Sequence, residues 1–166
     1  MRLNARLGLV IVGFALILHP AIDARRAAAP TDACALLTPA QVSAVLGVTV
    51  GAGKPMTPTN STFCDWTPSS DPSHSGKHVA VFIYTQLGTR TPADRFATAK
   101  TPVPGIEKTP VAGVGDDAIY TTTPGAGTTL VFKKGDGAYD VRVYGFPVEE
   151  IKAKEKTLAA DIIGKL

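Results

Sequence analysis

Cysteine, histidine, tryptophan and charge are all scarce in this chain. Its 166 residues include two cysteines, three histidines and one tryptophan, and charged side chains make up 19%. Two thiols without a CxxC spacing exclude a zinc site made of four thiolates and a thioredoxin-like redox motif. No apolar run approaches the roughly 20 residues that a membrane-spanning helix needs. The net charge of +3 is not gathered into a basic stretch, which argues against nucleic acid as a partner. Glycine and proline, at 16 and 13, are plentiful and predict many turns. An apolar fraction of 45% places the chain among globular proteins, and its length suits one domain of ordinary size.

The N-terminus reads as an export signal. Arg2 and Arg6 precede an uncharged apolar run from Leu7 to Leu18, which His19 and Pro20 end. Such a run rises only about 18 Å as a helix, against a hydrocarbon core of about 30 Å. A cleaved secretory segment over residues 1–24 is therefore expected, in preference to a retained anchor. Residues 25–33 would be a short linker and residues 34–166 one domain. Thr31-Asp32-Ala33 before Cys34 is not a lipidation signal. Loss of Arg2, Arg6 and Asp23 leaves 15 basic and 13 acidic side chains, so the folded body is near neutral. In an oxidising compartment Cys34 and Cys64 are expected to pair rather than serve as a reactive thiol or metal ligands. A bridge across about 30 residues stabilises by roughly 3–4 kcal/mol in the chain-entropy account.

Local signals mark the elements. Thr38-Pro39-Ala40-Gln41 is a capping box with proline at the first helical position, followed by Val42, Val45 and Leu46 and a terminating Gly47. Phe63 to Trp66 is the one strand expected between residues 51 and 77, with Trp66 in the packing. Lys77 to Tyr84 is the strongest strand, with Val79, Val81 and Ile83 on one face and Ala80, Phe82 and Tyr84 on the other. Thr91-Pro92-Ala93-Asp94 begins a second short helix that ends by Pro102. Strands are expected at Ile119–Thr122, Leu130–Phe132 and Tyr139–Tyr144, the last two joined by the hairpin turn Lys134-Gly135-Asp136-Gly137. Pro147 to Leu166 reads as a long helix with an apolar stripe of Val148, Ile151, Leu158, Ile162 and Leu166, and with Lys152, Lys154 and Lys156 on its solvated side. The expected fold class is α+β: an antiparallel sheet flanked by two short helices and a long C-terminal helix, with one disulfide.

Asp32-Ala33-Cys34-Ala35-Leu36-Leu37-Thr38, the later Cys64-Asp65-Trp66 and the turn Gly113-Val114-Gly115-Asp116-Asp117-Ala118 together resemble a family of small exported bacterial proteins. That family is a domain of unknown function, and many of its members are lipoproteins. The resemblance covers nearly all of the chain after the export signal. It implies an antiparallel sheet with helices against it, akin to PsbP-like extrinsic proteins, and transfers no catalytic residue.

Three groups of side chains are candidates for chemistry. Asp116 and Asp117 could be paired carboxylates, but adjacent residues of a strand point to opposite faces, and a Gly-Asp turn explains them. Asp71, His74 and His78 could hold a metal, since two imidazoles and a carboxylate form a zinc set, although they fall in a Ser/Gly/Pro-rich segment. Gly51-Ala52-Gly53-Lys54 completes no phosphate loop, and no serine has the context of a hydrolase nucleophile. Asn60-Ser61-Thr62 matches a glycosylation acceptor only weakly.

The expected function is thus a non-enzymatic, monomeric binding domain of the cell envelope, periplasmic or extracellular. It calls for no cofactor, and its membrane contact would come only through the export segment. Its partner would be an envelope protein or a small apolar ligand, with the sheet face bearing Tyr84, Tyr120 and Tyr144 as the binding surface. A hydrolase or metal protein built on Asp71, His74 and His78, or on Asp116 and Asp117, is the alternative. A ligand carrier should show a concave apolar pocket between sheet and long helix. A partner module should show a flat exposed apolar patch. An enzyme should show perturbed ionisable groups converging in a cleft.

Overall fold

The computed structural model describes residues 30–56, 61–71 and 76–166. The expected export segment and most of the linker lie outside the described residues, as do Asn60 and His74. Among the described residues three helices surround one antiparallel sheet: α1 (Pro39–Leu46), α2 (Pro92–Lys100) and α3 (Val148–Ile163). The strands are β1 (Lys54–Met56), β2 (Ser61–Trp66), β3 (His78–Tyr84), β4 (Glu107–Pro110), β5 (Asp117–Thr123), β6 (Gly127–Lys134) and β7 (Gly137–Tyr144). They form a seven-stranded sheet in the order β1-β2-β3-β7-β6-β5-β4. This is the α+β architecture read from the sequence. The two edge strands, β1 and β4, add to the strands expected from it.

Both short helices start as their sequences dictate. Thr38 Oγ1 accepts the Gln41 amide at 3.2 Å, and Gln41 Oε1 accepts the Thr38 amide at 2.9 Å. The helix stops at Gly47, whose φ of +69° suits glycine. Thr91 and Asp94 form the same reciprocal pair at the start of α2, at 3.2 and 2.8 Å. Such caps satisfy amides that the first helical turn leaves without partners.

The sheet carries two unequal cores. On one face Val79, Val81, Ile83, Leu130, Phe132, Tyr139, Val141 and Val143 pack beneath α3, α1 and a single 3-10 turn over Ala33–Ala35. Trp66, 1% exposed, belongs to this core, as expected. On the other face Phe96 of α2 packs on Ile119, Val131 and Ala138. The apolar alternation of β3 and β7 assigns these faces, and both strands are internal to the sheet. Cys34, in the 3-10 turn, is bonded to Cys64, in β2, across a sequence separation of 30. The bridge ties the start of the fold to the sheet, and Cys64 is wholly buried.

The long helix departs from its expected pattern in two ways. Its buried side is Ile151, Glu155, Leu158, Ala159 and Ile162, so a carboxyl occupies a core position. Lys154 is not simply solvated. Its ammonium donates to the Val45 carbonyl at 2.6 Å, lies 3.3 Å from Glu150 and sits over the Phe146 ring at 4.4 Å, binding α3 to α1. Among the described residues, no helix is long and apolar enough to cross a membrane.

Candidate functional site

The sheet is split at one end. Pairing between β6 and β7 runs from Lys134↔Gly137 to Leu130↔Val141 and stops there. Both strands nevertheless continue. β6 reaches Gly127 against β5, and β7 reaches Tyr144 against β3. Two further steps of the register would set Thr128 opposite Val143. In place of that pair, the Val143 amide donates to Glu155 Oε1 of α3 at 3.2 Å. The side chain of the helix acts where a strand's carbonyl would act.

Glu155 is fully buried, and its second oxygen, Oε2, has no hydrogen-bond partner among the described residues. Burial penalises its charged form and moves its pKa from 4.5 up to about 9, against the pull of the Val143 and Leu130 amides. At neutral pH it is therefore a neutral acid, able to donate as well as accept.

A cleft of about 330 Å³ opens in the same gap. One wall is the turn and strand end Gly125-Ala126-Gly127-Thr128; the other is Val143 to Val148 with Ile151 from α3. Its volume falls in the size class of small-ligand sites, about 300–1,000 Å³. No Asp, Glu, Lys, Arg or His side chain lines it. Main chain is accessible along the first wall because Gly125 and Gly127 carry no side chain. A Cβ built at either would meet open space, and their φ values of +78° and +111° favour glycine.

A second cluster lies on the opposite face of the sheet. Asp140 is fully buried, accepts two bonds from Arg142 at 3.1 and 2.7 Å, and accepts the Tyr84 hydroxyl at 3.1 Å. Burial pushes the Asp140 carboxyl above the usual carboxylate range, with Arg142 and Tyr84 holding it down. Burial, then the charge of Asp140, also raises the Tyr84 phenol. Burial works against the Arg142 charge, but Asp140 outweighs it and raises the guanidinium pKa. Arg142 lies over Phe82 at 4.4 Å, Phe82 stacks on Phe63 at 4.7 Å, and Arg95 of α2 lies over Tyr84 at 4.2 Å. These groups satisfy one another and fasten α2 to the sheet. The convergence is of structural partners, with the one carboxylate fully buried.

The three tyrosines do not share a face. Tyr84 and Tyr144 lie on the α2 side, whereas Tyr120 pairs with Leu130 on the α3 side and donates its hydroxyl to the Lys152 carbonyl. The reason is register: Leu130 lies opposite Val141, a core residue, and Tyr120 opposite Leu130. The tyrosine face expected from the sequence is thus reduced to Tyr84 and Tyr144. The remaining candidates also separate. Asp116 accepts the Gly135 amide at 2.7 Å and Lys134 at 3.1 Å, bracing the hairpin turn as the Gly-Asp reading implies. Asp117 pairs with Lys100 at 2.7 Å instead. His78 donates Nδ1 to the Gly76 carbonyl at 3.0 Å and stacks on Tyr144 at 4.1 Å. Among the described residues no three His, Cys, Asp or Glu side chains come together as a metal set. Sequence reasoning missed Glu155 and Asp140. The first had a signal, since residues 151, 155, 158 and 162 share a helical face on which 155 alone is charged.

No family model matches the chain, and neither a curated protein nor a solved structure matches it.

Proposed function

We propose that this chain is an exported, disulfide-stapled binding domain that takes a small apolar ligand into the cleft between β6, β7 and α3. The observation that carries this reading is the split itself. Two strands stop pairing while remaining strands, and a cleft with no ionic side chain in its lining fills the gap. Among the described residues the exposed large hydrophobics, Met56, Leu87 and Val103, lie on three different segments, which gives less support to a broad apolar docking face. The ionisable groups around Asp140 are bonded to one another, which supports binding over catalysis. Export is supported by the Cys34–Cys64 bridge, which belongs in an oxidising compartment, and by the signal pattern of residues 1–24. The resemblance to small exported bacterial proteins agrees with this reading.

Native mass spectrometry of protein isolated from its host without organic solvent tests it. The expected result is excess mass that solvent extraction removes and that Ile151→Trp, which fills the cleft, does not carry. Wild-type protein without such mass, together with unchanged NMR shifts of the cleft residues on addition of toluene, would overturn it.

A further inference from the structure

We infer that the ligand of this cleft is a short, extended, uncharged peptide segment that pairs with the free edge of Thr128; this rests on the cleft being the ligand site. Strand alternation decides which main-chain groups face the gap. In β6 the carbonyl of Lys133 turns away from β7 and accepts the Asp116 amide at 2.8 Å. Lys134, Phe132 and Leu130 are the alternate residues, directed toward β7. Thr128 continues that alternate set, so its amide and carbonyl point into the gap. Its register partner would be Val143, and the pair is not formed. The Val143 amide is engaged by Glu155; by the same alternation the unformed pair directs the Thr128 amide and carbonyl, and the Val143 carbonyl, at the gap.

The Thr128 donor and acceptor are together the main-chain complement of one residue of an extended peptide, and the Val143 carbonyl is a further acceptor beside them. A ligand residue laid along Thr128 would give its N–H to the Thr128 carbonyl and receive the Thr128 N–H on its own carbonyl, as an added strand does. Apolar side chains extend the fit. Val148, Ile151 and Phe146 stand on the wall facing Gly125 and Gly127, so an aliphatic side chain of the ligand is received where its main chain is. The absence of ionic side chains from the lining selects an internal or capped segment over free termini. Glu155 is the positioning residue. By holding the Val143 amide it supplies the bond that closure of the two strands would otherwise provide.

The test uses the full chain with its disulfide intact. The probe is N-acetyl-valyl-valine methylamide, compared with the depsipeptide in which the central N–H is replaced by an ester oxygen, and with toluene. The amide probe is expected to shift the Thr128 and Val143 resonances and to slow exchange of the Thr128 amide. The depsipeptide is expected to bind about tenfold more weakly, the worth of one hydrogen bond. Equal binding of the two, or an unaffected Thr128, overturns the peptide inference. In that event toluene separates the causes: if it perturbs Val148 and Ile151, the cleft remains a site for plain apolar ligands, and if it does not, the cleft reading falls too.

Discussion

Glu155 Oε1 accepts the Val143 amide at 3.2 Å, in the position that the register assigns to the carbonyl of Thr128. The carboxyl is fully buried, and burial raises its pKa to about 9 from 4.5. The folded protein therefore keeps a proton that the unfolded chain releases as pH rises above about 4.5. Stability from this group is greatest in acid and falls toward pH 9, with a slope of up to about 1.4 kcal/mol per pH unit. Glu155→Gln keeps an acceptor for Val143 and does not titrate. Urea unfolding at pH 5, 7 and 9 is expected to show the slope in the wild type and a flatter profile in the variant. Identical profiles would show that Glu155 ionises freely in the fold.

Asp140→Ala strands the Arg142 guanidinium and the Tyr84 hydroxyl. Removing one partner of a buried ion pair costs about 3–5 kcal/mol. Because the Arg142 side chain keeps 35% exposure, we expect about 2–3 kcal/mol, read as a lower midpoint in urea. The same variant should let Tyr84 titrate nearer to free tyrosine, followed by its ultraviolet absorbance. Tyr120, raised to about 12 by burial and by Glu155, should not change.

Gly53→Ala tests the packing around the bridge. A Cβ at residue 53 would collide with the Cys64 sulfur and lie 2.7 Å from the Trp66 ring. Both neighbours are buried at 1% exposure or less and cannot retreat. Overpacking of this kind costs about 1–3 kcal/mol. Gly51→Ala, with nothing within 4 Å of its Cβ, is the control and should be close to neutral. Guanidinium unfolding of both variants checks the contrast.

The bridge itself should be slow to reduce in the native protein, since Cys64 has no exposed surface. Alkylation without denaturant is expected to find no thiol. After reduction in denaturant and refolding, stability should be lower by about 3–4 kcal/mol, with the melting point down by many degrees. Two thiols modified in the native state would contradict the bonded pair.

What the sequence discloses here is what is local. Thr38 with Gln41, and Thr91 with Asp94, announce α1 and α2 because a cap is made by residues close along the chain. The core face of β3 is legible because alternation is a property of the strand alone. β1 and β4 are different. Lys54-Pro55-Met56 and Glu107-Lys108-Thr109-Pro110 have little strand character, and pairing with β2 and β5 makes them strands. The tyrosine face breaks up for a related reason: which side Tyr120 takes depends on its register with Leu130, which only the assembled sheet sets. The split between β6 and β7 has no local sign at all. It arises where a helix residue, Glu155, meets a strand amide 12 positions away.

Each outermost strand of the sheet contains a proline, Pro55 in β1 and Pro110 in β4, and these strands are 3 and 4 residues long. Proline brings no amide hydrogen to a margin, and so short a margin offers little to copy. Fibre-like stacking of one molecule's sheet on the next is thereby discouraged at both flanks. The main chain that this sheet does offer is set inward, at Thr128, behind a glycine turn and beneath a helix. A guest must fit a recess to reach it, whereas a second copy of the sheet, arriving edge-on, cannot.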